Sequence, residues 1–138
     1  MPIAAPKEQR DAMLESYQSS AGVESALSIL TSRQLSPELR RQVIDDTLSG
    51  VPAAKAAWTQ AGMMLDISAV VGDINVPTTV IVGDADKVET EFLLRRELAS
   101  RISGTEFIVL PGVGHLSPLE APSELAAAIA TAISKVQS

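Results

Sequence analysis

The rhythm of apolar and polar positions changes once along this 138-residue chain, near Val76. Up to about residue 72 the spacing is helical throughout. Pro6-Lys7-Glu8-Gln9 opens a polar first turn, and Ala12, Met13, Leu14 and Tyr17 form a loose apolar stripe that Gly22 is expected to end. Val23 to Leu30 reads as a second short helix. Ser36-Pro37-Glu38 is a start signal: a serine cap, proline at the first helical position and an acid at the positive helix end. Leu39, Val43, Ile44 and Leu48 then share one face, and Gly50 supplies the stop. Pro52 opens a fourth helix through Trp58 to about Met64, and Met63-Met64-Leu65 with 67–71 makes an apolar exit.

Beyond Val76 the period shortens. Pro77-Thr78-Thr79-Val80-Ile81-Val82-Gly83 is a β-branched run between proline and glycine, as expected for a strand buried on both faces. The turn Asp84-Ala85-Asp86-Lys87 leads to a helix from about Glu89 to Ile102, with Leu94, Leu98 and Ile102 on one face. Ser103-Gly104-Thr105 breaks it. Glu106 to Leu110 is a second strand, Pro111 to Pro118 a glycine-containing loop, and about Ser123 to Lys135 a last, alanine-rich helix with Leu125, Ile129 and Ile133 four apart. Strand, helix, strand, helix implies an α/β architecture with a parallel, right-handed β-α-β unit.

Composition narrows what such a chain can do. Eleven Lys and Arg against seventeen Asp and Glu leave a net charge of −6, and the basic residues are scattered, which argues against binding nucleic acid through its phosphates. With no cysteine and one histidine, neither a thiolate zinc site nor a multi-histidine metal site can be built, and no metal or cofactor is expected. An apolar fraction of 46% is too high for a disordered chain, yet aromatics make up only 3%, so the core must be aliphatic and alanine-based. No stretch approaches the roughly 18 apolar residues of a membrane span. Met1 to Arg10 lacks the basic-then-apolar order of a signal peptide, so the default expectation is a soluble, cytoplasmic protein with no membrane partner.

In open parallel sheets, functional groups gather at the carboxyl ends of the strands. Asp84 and Asp86 follow the first strand and His115 follows the second, so a carboxylate and an imidazole project from neighbouring strand ends. That pair is the orienting half of a nucleophile–histidine–acid triad, in which the acid holds the tautomer and the histidine takes the nucleophile's proton. Position alone leaves the choice between the two aspartates open.

The words around these residues resemble one family. Val76 to Asp86, ending Gly83-Asp84-Ala85-Asp86, is similar to the penultimate strand of α/β-hydrolase-fold enzymes and the G-x-x-D turn carrying their catalytic acid. Pro111-Gly112-Val113-Gly114-His115-Leu116-Ser117-Pro118-Leu119-Glu120-Ala121-Pro122 is similar to the catalytic-histidine loop that follows their last strand. The resemblance covers about Asn75 to Ile133. It implies catalytic roles for Asp86 and His115, with Asp84 at a non-catalytic polar position. It makes residues 75–138 the C-terminal β-α-β-α part of a hydrolase core, and 1–74, by position and helical texture, a cap or lid. Trp58, Met63, Met64 and Leu65 then either line an acyl pocket or pack within the cap, and Leu116 beside the histidine is a further substrate-contact candidate.

The family's G-x-S-x-G nucleophile elbow is missing from the sequence. Gly22-Val23-Glu24-Ser25-Ala26 is the nearest string, without the second glycine or a preceding strand, and no HG-type oxyanion loop is present either. The expectation is therefore the C-terminal half of an α/β hydrolase, with Met1-Pro2-Ile3 close to the junction with the first half. Such a half hydrolyses an ester, lactone or related small acyl compound only when a nucleophile comes from elsewhere. A strand paired on one side exposes an edge that recruits other chains, so a complementary N-terminal chain or a homo-oligomer is expected. The competing expectation is a non-catalytic module that self-associates through that edge. A dinucleotide-binding domain finds little support, because Gly112-Val113-Gly114 lacks the third glycine of that fingerprint.

Overall fold

The computed structural model describes residues 5–136, so the expectation placed on Met1-Pro2-Ile3 lies outside the described residues. The chain divides into two compact units. One runs to Ser28 and takes in Ser36–Ala69; the other comprises Ile29–Leu35 and the chain from Val70 onward. The segment 29–35 lies inside the helical stretch of the sequence yet groups with the unit that holds the sheet.

The first unit is helical: α1 (Lys7–Ser16), most of α2 (Ser20–Leu30), α3 (Pro37–Ser49), α4 (Pro52–Gln60) and a 3₁₀ turn at Gly62–Met64. The start signal at α3 works as the sequence implies. The Ser36 hydroxyl accepts from the Leu39 N–H, Pro37 occupies the first turn, and the Gly50 N–H closes the far end on Asp46 and Thr47. Lys55 of α4 donates to the Tyr17 and Leu48 carbonyls, placing a cation at the carbonyl-rich ends of α1 and α3. Val23, Leu27, Thr59 and Met63 are its buried side chains.

Two helix limits differ from the sequence reading. Gly22 does not stop the first helix; it sits in the first turn of α2, where a Cβ would lie 2.3 Å from the Ser16 carbonyl oxygen. Close approach of two helices asks for a residue without a side chain just as a helix stop does. The fourth helix ends at Gln60 rather than Met64, the chain tightening into the 3₁₀ turn instead.

A one-turn α5 (Ser68–Val71) precedes the sheet, in which β1 (Thr79–Gly83) and β2 (Glu106–Leu110) of the second unit pair in parallel, with Thr79 opposite Glu106 and Gly83 opposite Leu110. Between them the expected helix is shorter than its apolar face suggested. It starts at α6 (Glu91–Leu94), capped by the Thr90 hydroxyl, and widens into a π-helical turn over Arg95–Ala99. A short α7 (Ser117–Glu120) begins inside the stretch read as loop, and α8 (Pro122–Val136) packs on both strands. Leu110, Val113, Ala121 and Ala128 form the core, with Ile81, Ile108 and Leu125 against it.

β1 is not buried on both faces. Thr79, Val80 and Ile81 remain half-buried, and only Val82 and Gly83 are buried. Among the described residues β2 is the one strand that flanks β1, so the apolar run has more surface than the two-stranded sheet covers. The stripe along α8 is likewise left partly bare, with Ile129 and Ile133 exposed. No helix among the described residues is long and apolar enough to cross a membrane.

Candidate active site

Both strands end in turns that are tied together. The Asp84 N–H donates to the Leu110 carbonyl, and the Ala85 N–H donates to that of Val113. Gly83 makes this approach possible, because a Cβ there would fall 2.0 Å from the Val113 carbonyl oxygen. The two aspartates left open by position then separate. Asp84 turns to the backbone, its carboxylate accepting from the Gly112 N–H at 2.6 Å. Asp86 turns to the imidazole: its Oδ2 lies 3.0 Å from His115 Nδ1.

Both oxygens of the Asp86 carboxyl group have partners. Its Oδ1 accepts from the Val88 and Glu89 N–H groups at 2.7 and 2.9 Å, which leaves Oδ2 for the histidine. Its side chain is 6% exposed and that of His115 is 35% exposed. With the proton on Nδ1, the ring donates to Oδ2 and leaves Nε2 as its accepting nitrogen. The arrangement is a carboxyl–imidazole pair with a partly solvent-facing ring.

The histidine loop is clamped from the other side by the 29–35 segment. The His115 N–H donates to the Leu30 carbonyl at 2.8 Å. Arg33 donates from Nη2 to the Pro111 carbonyl, from Nε to that of Gly112, and from Nη1 to the Glu124 carboxylate at 2.7 Å. The Arg33 guanidinium holds the Glu124 carboxyl below its ordinary value of 4.5. The favourable effect of that pairing is complete above the ordinary value and disappears as pH falls through the lowered one. A carboxyl-detected NMR titration is expected to find Glu124 titrating below 4.5, and Arg33→Ala to return it upward; an unmoved titration would exclude the clamp.

The remaining predicted residues are dispersed. Leu116 adjoins the histidine and caps α7. Trp58, Met63 and Met64 lie in the first unit, where Met63 is buried and Trp58 and Met64 are exposed. Sequence reasoning overlooked Arg33 and Glu120, the latter buried and bonded to three backbone N–H groups. Arg33 contacts the histidine loop from far along the chain with no local pattern to mark it, and Glu120 lies within the histidine-loop string without any sign there of its backbone partners. Among the described residues no three His, Asp or Glu side chains gather as metal ligands.

No family model and no curated protein sequence matches the chain. Solved structures do. An esterase from Exiguobacterium antarcticum superposes with a TM-score of 0.81 at 17% identity, over 99% of this chain and 50% of its own. A thermophilic esterase from Thermogutta terrifontis gives 0.76 at 26% identity, over 99% and 53%. The enol-lactonase from Burkholderia xenovorans gives 0.78 at 19%, over 96% and 52%. This chain spans about half the length of each. The parallel strands, the helix between them, the acid and histidine turns at their ends and these superpositions agree: the chain carries the α/β-hydrolase fold over a stretch equivalent to about half of such an enzyme.

Proposed function

We propose that this chain is the acid-and-histidine part of an α/β-hydrolase-type serine hydrolase acting on an ester, lactone or related small acyl compound. The observation that carries the reading is the 3.0 Å bond from His115 Nδ1 to a buried Asp86 whose other oxygen is held by two backbone N–H groups. The roles follow from that polarity. His115 Nε2 takes the proton of a serine hydroxyl as its oxygen attacks the acyl carbon, then passes it to the leaving alcohol. A water molecule attacks the acyl-enzyme by the same route, and its proton returns through His115. Asp86 stays ionised and stabilises the imidazolium.

The serine is supplied by a segment outside these 138 residues, since no G-x-S-x-G elbow occurs within them. Residues 1–74 are assigned to the cap, with Trp58, Met63 and Met64 as its candidate substrate contacts, and Leu116 is the candidate contact beside His115. The esterase and lactonase neighbours support the substrate class, and the one-sided pairing of β1 supports a complementary chain. The same bare edge also suits a second copy of this chain, which is the non-catalytic alternative.

The test is hydrolysis of a p-nitrophenyl ester by the purified chain, alone and with a complementary segment carrying a serine elbow. Alone, the expected rate is that of buffer. With the segment, turnover is expected, falling by about 10³-fold or more in His115→Ala. Turnover by the chain alone that His115→Ala abolishes would mean that its nucleophile lies within these residues. A stable homodimer with no turnover in either mixture would favour the self-associating module.

A further inference from the structure

Glu120 is buried at the end of α7, five residues beyond the histidine, and is 9% exposed. Its Oε2 accepts from three backbone N–H groups: Ser32 at 2.7 Å, Arg33 at 2.8 Å and Gly114 at 3.0 Å. Its Oε1 is buried and has no hydrogen-bond partner. Burying a carboxylate is costly, and leaving one oxygen bare makes it costlier. A residue selected only for stability has little reason to be charged here, whereas one that must hold three donors at a single point does, because an ionised acceptor binds N–H groups more strongly than a neutral one.

Those donors locate the histidine. Gly114 immediately precedes His115, and the His115 N–H is itself taken by the Leu30 carbonyl. Two successive N–H groups of the loop are thereby anchored to the 30–33 segment, one directly and one through Glu120. A Cβ on Gly114 would lie 2.8 Å from the Ser32 nitrogen and 2.9 Å from both Glu120 Oε1 and the Leu30 carbonyl oxygen, so the backbone has little room to drift. None of these bonds involves the imidazole.

We infer that Glu120 is a positioning residue: its carboxylate fixes the Gly114–His115 backbone so that the ring stays in register with Asp86. The catalytic value of that role rests on the hydrolase reading, but the positioning does not.

The single histidine makes the test unambiguous, since the imidazole nitrogen spectrum of the ¹⁵N-labelled chain has one source. The nitrogen shifts report which ring nitrogen holds the proton, and amide exchange of β1 and β2 reports the fold. In the unaltered chain the Nδ1–H form is expected to dominate. Glu120→Ala is expected to raise the ratio of Nε2–H to Nδ1–H forms roughly tenfold, with the strand amides still protected. Glu120→Gln keeps a neutral acceptor and is expected to fall between. Equal tautomer ratios in all three chains would overturn the proposal. So would loss of strand protection in both variants, which would make Glu120 a general folding residue. Absence of hydrolysis in the complemented enzyme leaves this result untouched, so the two readings fail separately.

Discussion

Changing Gly83 to alanine is expected to destabilise the unit that holds the sheet by on the order of 3 kcal/mol or more, as a fall in the urea midpoint of its unfolding. A methyl group there would meet the Val113 carbonyl oxygen at 2.0 Å and its carbon at 2.6 Å, backbone atoms that cannot swing aside as a flexible side chain can. Relief requires the β1 turn and the histidine loop to move apart. That breaks the bond from the Ala85 N–H to the Val113 carbonyl and pulls Asp86 from His115. With domain stabilities of only about 5–15 kcal/mol, such a loss is a large share of the total. Gly72, with no atom within 4 Å of its added Cβ, is the control, and Gly72→Ala is expected to move the midpoint by no more than about 0.5 kcal/mol. Equal effects of the two substitutions would contradict the close approach.

Asp86→Asn is expected to invert the proton on the ring and, in the complemented enzyme, to lower kcat by about 10⁴-fold, the scale of the same change in other triads. The amide oxygen can keep the Val88 and Glu89 N–H groups, which leaves its NH₂ facing His115 Nδ1. Two donors cannot share that bond. The proton moves to Nε2, and the nitrogen that would accept from a serine becomes a donor. Nitrogen shifts of the single imidazole read the inversion in the isolated chain, and kcat reads it in the complemented one. An unchanged tautomer would mean that Asp86 does not orient the ring. An inverted tautomer with unchanged kcat would mean that His115 is not the base.

Much of the architecture was legible along the chain because it rests on local rules. Ser36 and Pro37 start α3, Gly50 ends it, the β-branched run between Pro77 and Gly83 marks β1, and the break at Ser103-Gly104-Thr105 precedes β2. The misread boundaries share one cause: local signals have more than one physical origin. Gly22 marks where the start of α2 meets the Ser16 backbone rather than a stop, and the apolar face to Ile102 did not show that the helix would widen at Arg95.

The sequence by itself determined the order of elements, the pairing of an acid turn with a histidine loop and the lack of a serine elbow, since each is written in contiguous residues. The resemblance already set Asp86 apart from Asp84, but only the tertiary structure gave each its partner, because two residues alternating in one turn differ by which way each carboxylate faces, and packing against the second loop decides that. The tertiary structure also brought Arg33 and Glu120 to the histidine loop, across 78 and 6 residues of chain. A carboxylate bonded to backbone N–H groups leaves no side-chain partner to find in the sequence; the donors exist at every position, and the fold alone selects which three converge.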